Sequence, residues 1–254
     1  MTNKVFCMAP FVHMYVTPTE SDEKICCQAN YHNKGNPDWN LERRWSNTDF
    51  QRIRQQMTDS PRVAEGEIAH LCSRCIEQES AGVASDRTMF NENYQHIITD
   101  IVHGNSLHSP LDLDLRPSNL CNLQCRMCNS SASSQIQKEI AVSSGLIDFM
   151  GDELIVQADG FTPENMDFLL KNISPSDGSF SRIKFLGGEP TIMPEVHHIL
   201  DTLIDKKLTD VLINITTNLT NVNASAALVF KIVLSTPAPT ILAYGGTLIV
   251  EVNL

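Results

Sequence analysis

The chain has 254 residues, an apolar fraction of 42% and a net charge of −11, with a pI near 5.1. That length suits one large or two small domains with a buried core, and the acidic balance argues against nonspecific nucleic-acid binding, which needs Lys and Arg to neutralise phosphates. The first residues lack the long apolar run of a signal peptide, so the eight cysteines are not read as a disulfide framework; in a reducing, cytoplasmic setting clustered thiols point to metal or redox chemistry.

Taken in order, Cys7 to Val16 reads as a turn and a strand, Glu20 to Glu23 as a turn, and Lys24 to Cys27 as a returning strand. Neighbours on a strand point to opposite faces, so only one of Cys26 and Cys27 shares the side of Cys7 in this hairpin. Gly35 to Asp38 is a loop. Thr48 to Met57 is predicted helical, with Phe50, Ile53 and Met57 on one face and Thr48 as the cap. Cys72-Ser73-Arg74-Cys75 is a tight C-x2-C pair. Cys7, one of Cys26 and Cys27, Cys72 and Cys75 make four candidate ligands, and four thiolates suit an iron–sulfur cluster and zinc about equally. Residues 88–109 read as a helical linker, with Tyr94, Ile97, Ile98 and Ile101 at helical spacing.

Leu111 to Leu115 alternates apolar and acidic residues, a strand pattern, and Ser130 to Val142 reads as a helix. Between them lies Cys121-Asn122-Leu123-Gln124-Cys125-Arg126-Met127-Cys128, three thiols spaced C-x3-C-x2-C on a loop at the carboxyl end of a strand, where α/β folds place their chemistry. Three close cysteines can ligate three irons of a cubane cluster and leave the fourth iron open; structural zinc, the rival, wants four protein ligands. Residues 145–160 carry no clear pattern. Thr162-Pro163-Glu164 opens a helix, and Pro175 to Gly178 is a turn. Arg182 to Leu186 is a strand running into Gly187-Gly188-Glu189-Pro190. Two glycines there let a ligand approach the backbone, and the Glu can accept from an ammonium. Pro194 to Lys207 is a helix, and Asp210 to Asn218 a strand with a polar end. Between Asn221 and Leu254 only Lys231 and Glu251 are charged. Val229 to Leu234 and Thr247 to Val252 are strand candidates; Lys231, Pro237, Pro239 and Gly245-Gly246 interrupt the run, which argues against a membrane span.

The cysteine triplet, with Gly187-Gly188-Glu189-Pro190 some sixty positions downstream, resembles the radical S-adenosylmethionine (SAM) superfamily. The first ninety residues resemble its SPASM/twitch modules, on Cys7 with Pro10, Ile25-Cys26-Cys27, Trp45, Ile53-Arg54-Met57 and Cys72-x-x-Cys75, then Glu77, Glu79, Gly82, Ser85 and Arg87. Here the module precedes the core, as in a twitch-containing group known largely from phage and environmental sequences. The resemblance implies an α/β fold: a partial, incomplete radical SAM βα barrel over 109–254, lacking its pattern after about 220, behind an N-terminal cysteine-rich SPASM/twitch-like α+β module with linker over 1–108. It implies a [4Fe–4S] cluster on Cys121, Cys125 and Cys128, and SAM held by Gly187, Gly188, Glu189 and Pro190, with Met127, where the family has an aromatic residue, Thr217 and Asn218 contributing. It implies an auxiliary cluster, or zinc, on Cys7, Cys26, Cys72 and Cys75. The activity implied is reductive cleavage of SAM to a 5′-deoxyadenosyl radical that takes hydrogen from a substrate, by analogy a peptide or protein, with flavodoxin or ferredoxin as electron donor. The incomplete barrel keeps an alternative open: a non-catalytic iron–sulfur or zinc-binding fragment of such an enzyme.

Overall fold

A computed structural model describes residues 6–16, 24–29, 40–59, 66–143, 163–172, 181–206, 211–221, 240–244 and 247–251. Four strands run parallel in one sheet: β1 (His13–Val16), β2 (Asp112–Leu115), β3 (Ser181–Phe185) and β4 (Val211–Ile215). Their register explains the residue choice. Met14, Leu113, Ile183 and Ile213 form one row across the sheet, and Val16, Leu115, Phe185 and Ile215 the next. Side chains alternate faces along a strand, so these rows make one face wholly apolar. The other face carries His13, Asp112 and Arg182 in one row and Tyr15, Asp114, Lys184 and Asn214 in the next.

The apolar face is covered by three helices. They are α2 (Leu41–Trp45), α9 (Pro163–Asn172) and α10 (Pro194–Asp205), which contribute Leu41 and Trp45, then Met166, Leu169 and Leu170, then Val196, Ile199, Leu200 and Leu203. The spacing of the last four places them on one helical stripe. Each buried aliphatic side chain of this kind contributes about 1.5–3 kcal/mol, so this layer dominates the stability of the sheet. A second apolar cluster gathers α1 (Ala9–Val12), α3 (Thr48–Asp59), α4 (Gly66–Leu71), α6 (Asp86–Asn93) and α7 (Ile98–Val102) through Phe11, Phe50, Ile53, Ile68, Phe90 and Ile101. The helix α5 (Ser73–Ser80) follows α4, and α8 (Ser134–Val142) follows β2. Among the described residues no helix is long and apolar enough to cross a membrane.

The hairpin expected at the N-terminus is not formed. Cys7 to Val16 holds a helical turn before a four-residue strand, with Pro10 in the first turn of α1, where its fixed φ suits a helix start. Lys24 to Ala29 is a turn, not a strand, and β1 pairs instead with β2, roughly a hundred positions away. A short apolar run does not by itself distinguish a strand from a helical turn. So β1, from residues 1–108, is the edge strand of the sheet made by the core strands. The cap of α3 is Asn47, one residue before Thr48, whose side chain accepts from the Asp49 N–H at 2.7 Å. After β4 the sheet continues with β6 (Thr247–Glu251), antiparallel to β4, and β5 (Thr240–Tyr244), antiparallel to β6. The turns expected at Glu20 to Glu23, Gly35 to Asp38 and Pro175 to Gly178, the cap at Thr162 and the strand at Val229 to Leu234 lie outside the described residues.

Candidate functional site

Three loops at the carboxyl ends of β2, β3 and β4 meet. The first, 116–133, carries the cysteine triplet and is pinned by the start of α8. Ser133 caps that helix, accepting from the Ile136 N–H, and donates its hydroxyl to Leu123 O at 2.7 Å. Ser134 Oγ accepts from the Cys121 N–H at 3.1 Å, and Asn119 Nδ2 donates to Ser130 O at 2.9 Å and to Gln137 Oε1 at 2.7 Å. Cys121 is buried, Cys125 and Cys128 are exposed, and Met127 between them projects into solvent at 95% exposure. Burial, then Cys125 and Cys121, push the Cys128 thiol above its ordinary value. The Cys128 thiol therefore feels the other two.

The second loop is Gly187-Gly188-Glu189-Pro190. A Cβ on Gly188 would lie 2.1 Å from Leu120 O, and one on Gly187 would lie 2.7 Å from Ser118 O; Gly187 also has φ +113°. Both glycines are needed for the loop to lie against the cysteine loop, an approach sealed by Glu189 N–H donating to Leu120 O at 2.8 Å. The Glu189 carboxylate is fully buried. It accepts from Thr191 N and Thr191 Oγ1 at 3.1 and 2.6 Å, from Thr217 Oγ1 at 2.6 Å and from Asn218 N at 2.7 Å. Three of these donors meet Oε1 and one meets Oε2, so Glu189 ties its own loop to the end of β4.

The third loop, 216–221, supplies Thr217 and Asn218. Leu219 holds the left-handed region at φ +55°, rare for a non-glycine and common near functional sites. Asn218 Nδ2 donates to Asn122 Oδ1 at 3.0 Å, and Asn122 Nδ2 donates to Thr220 Oγ1 at 2.7 Å. Asn122, inside the cysteine triplet, thus links the first loop to the third. Sequence reasoning missed it, since an Asn in a polar loop carries no signal of its own.

The N-terminal thiols form a second site. Cys7, Cys26, Cys72 and Cys75 line one small cavity with Leu71 and Phe90 as apolar walls. Burial, then Cys26, Cys72 and Cys75, hold the Cys7 thiol well above its ordinary value; burial, then Cys27, Cys72 and Cys75, raise Cys26. Burial and then Cys75 push Cys72 up to about 11, against the opposing charge of Arg87. Thiols this reluctant to ionise need a cation to become thiolates. Cys27 also borders the cavity, but its sulfur faces Asp86, donating to Oδ2 at 3.7 Å, and Asp114. Cys26 thus feels Cys72 and Cys75, whereas Cys27 faces the two carboxylates. Behind Cys72 and Cys75, Glu79 accepts from Arg87 Nε at 2.9 Å and from Ser85 Oγ, and Gly82 at φ +74° lets the chain turn from α5 into α6. Those residues bridge the end of α5 to the start of α6, and Arg87 lies close enough to Cys72 to favour its thiolate.

Among the described residues, one group of three metal-ligating side chains brings its ligand atoms within 4.8 Å of one another, and it belongs to neither thiol set. Among the described residues, neither thiol set has three sulfurs within that distance of one another. A cubane offers each thiolate a different iron. The loop thiols, the two close-packed glycines and the buried donors around Glu189 fit a cluster-binding loop in its donor chemistry. Comparison with known proteins finds no matching family model, no matching curated protein and no matching solved structure.

Proposed function

We propose that the chain is an iron–sulfur enzyme of the radical SAM type. The observation that carries this reading is the meeting of three loops at the carboxyl ends of adjacent parallel strands, with the cysteine triplet, the double glycine and the Thr217-Asn218 strand end locked together. Cys121, Cys125 and Cys128 hold the [4Fe–4S] cluster, and Cys7, Cys26, Cys72 and Cys75 hold an auxiliary one. With SAM at its open iron, such a cluster would supply the one-electron reductive cleavage of a carbon–sulfur bond that makes hydrogen abstraction from a substrate possible. The chain's own part is positional. Gly187 and Gly188 let their loop lie against the cysteine loop, Glu189 fixes that backbone, and the apolar layer under the sheet holds the three strand ends in register. The substrate is a peptide or protein and the electron donor a flavodoxin or ferredoxin, both carried over from the resemblance.

After anaerobic reconstitution and reduction, the wild type is expected to form 5′-deoxyadenosine from SAM, and a Cys121/Cys125/Cys128→Ala variant none. One observation favours a second reading, a metal-binding protein without turnover: the sheet turns antiparallel after β4, where a parallel barrel would continue. Full cluster loading with no SAM cleavage would select that reading and overturn the enzyme.

A further inference from the structure

We propose that His13, Cys27 and Asp114 hold a divalent cation of the zinc class at a site separate from the two thiol sets. The residues come from the start of β1, the 24–29 turn and the middle of β2, yet one ligand atom from each lies within 4.8 Å of the others. The strand register brings two of them together: His13 pairs with Asp112, two residues before Asp114 on the same face of the sheet.

Two of the atoms are unsatisfied. His13 is 4% exposed and Asp114 is 3% exposed, and neither His13 Nε2 nor Asp114 Oδ1 has a hydrogen-bond partner. Arg116 Nε approaches Asp114 Oδ1 to 3.8 Å, an ion pair too long for a hydrogen bond. Buried polar atoms in native folds are nearly always paired; two that are not, beside a thiol, mark a missing ligand. The imidazole is also held from behind. His13 Nδ1 lies 3.0 Å from Asp112 Oδ1, while Asp112 Oδ2 accepts from Tyr94 Oη at 3.2 Å and from Arg182 at 2.6 Å. A carboxylate on Nδ1 keeps the proton there and leaves the Nε2 lone pair outward, the arrangement that supports metal-bound histidines.

The donor set selects the metal. One imidazole nitrogen, one thiolate and one carboxylate suit zinc, whereas calcium and magnesium want oxygen alone and copper(I) wants soft sulfur. Tetrahedral zinc separates its ligand atoms by roughly 3.3–3.8 Å, so the three groups close in by about 1 Å around it. Cys27 gives up the proton it now donates to Asp86. Three protein ligands leave one position open, to water or a substrate group.

The test uses the full chain, reconstituted anaerobically with iron and sulfide, then given zinc and washed with a mild chelator. Wild type should retain about one zinc equivalent more than Cys27→Ser or His13→Gln, with equal iron and sulfide in all three. Cobalt in place of zinc should give a thiolate-to-metal charge-transfer band in wild type that Cys27→Ser lacks. Cys27 is only partly buried, so the serine variant carries the test even where His13→Gln fails to fold. Equal zinc and equal cobalt spectra across the proteins would overturn the proposal. So would a zinc loss accompanied by iron loss, which would assign Cys27 to the neighbouring thiol set. The zinc difference is read between variants and holds whatever fills the other thiols.

Discussion

A methyl group added at Gly188 would sit 2.1 Å from a backbone oxygen, a clash that no rotamer change relieves, so the two loops must separate. Gly188→Ala should therefore lower stability by about 3 kcal/mol and abolish SAM binding, as read by thermal melting and equilibrium dialysis. Gly82→Ala is the control. Its Cβ meets nothing within 4 Å, so only the left-handed φ of +74° opposes it, at about 1 kcal/mol. Glu189→Gln tests the hydrogen-bond assignment. The amide keeps the shape but turns one acceptor into a donor against Asn218 N–H or the Thr191 and Thr217 donors, which should cost about 1–3 kcal/mol and weaken SAM affinity through the loop. A melting temperature and a SAM Kd both unchanged in this variant would contradict the role given to Glu189. At this scale the sequence showed the thiols and the glycines, because their chemistry is tied to residue type. It did not show the four donors around Glu189. A carboxylate carries no mark of the donors it will meet, and only the packing of β3 against β4 brings them to it.

Between elements, Arg54 joins α3 to α1 and α2. Its Nε donates to Pro10 O at 2.6 Å, a terminal nitrogen donates to Trp45 O at 2.8 Å, and the guanidinium stacks over the Trp45 ring at 4.1 Å. Burial pulls its pKa down to about 10, yet it remains charged at neutral pH. Arg54→Ala leaves two buried carbonyls unpaired and should destabilise by about 3 kcal/mol, with loss of iron from the Cys7 site before the Cys121 site. The thiol pocket gives a pH prediction. Burial raises Cys72 to about 11 and Cys27 to about 12 from an ordinary 9.0. The folded thiols hold protons that the unfolded chain releases, so the metal-free protein should lose stability as pH rises from about 9 towards 12. The loaded protein, its thiols already ionised, should not; denaturant midpoints across that range compare the two. Helices were the most legible elements, since α3 and α10 expose their apolar stripes at helical spacing. The N-terminal strand was the least. Four residues of β1 resemble half a hairpin until β2 supplies a parallel partner, and pairing across roughly a hundred positions leaves no local trace.

For the whole molecule, the sheet separates two environments. One face is apolar and sealed by α2, α9 and α10; the other carries His13, Tyr15, Asp112, Asp114, Arg182, Lys184 and Asn214. Leu111 to Leu115 alternates apolar and acidic residues, yet both Asp112 and Asp114 are buried. That is why the polar face, and the site on it, were invisible to alternation patterns, which assume that the polar side meets water. As proposed, the chain carries two thiol-held clusters. Anaerobic reconstitution with iron and sulfide, followed by metal and sulfide analysis of wild type and the Cys121/Cys125/Cys128→Ala variant, tests it most directly. About eight irons per chain are expected, falling to about four in the variant. Iron content unchanged by removing the three thiols, or zinc in place of iron at both thiol sets, would contradict it.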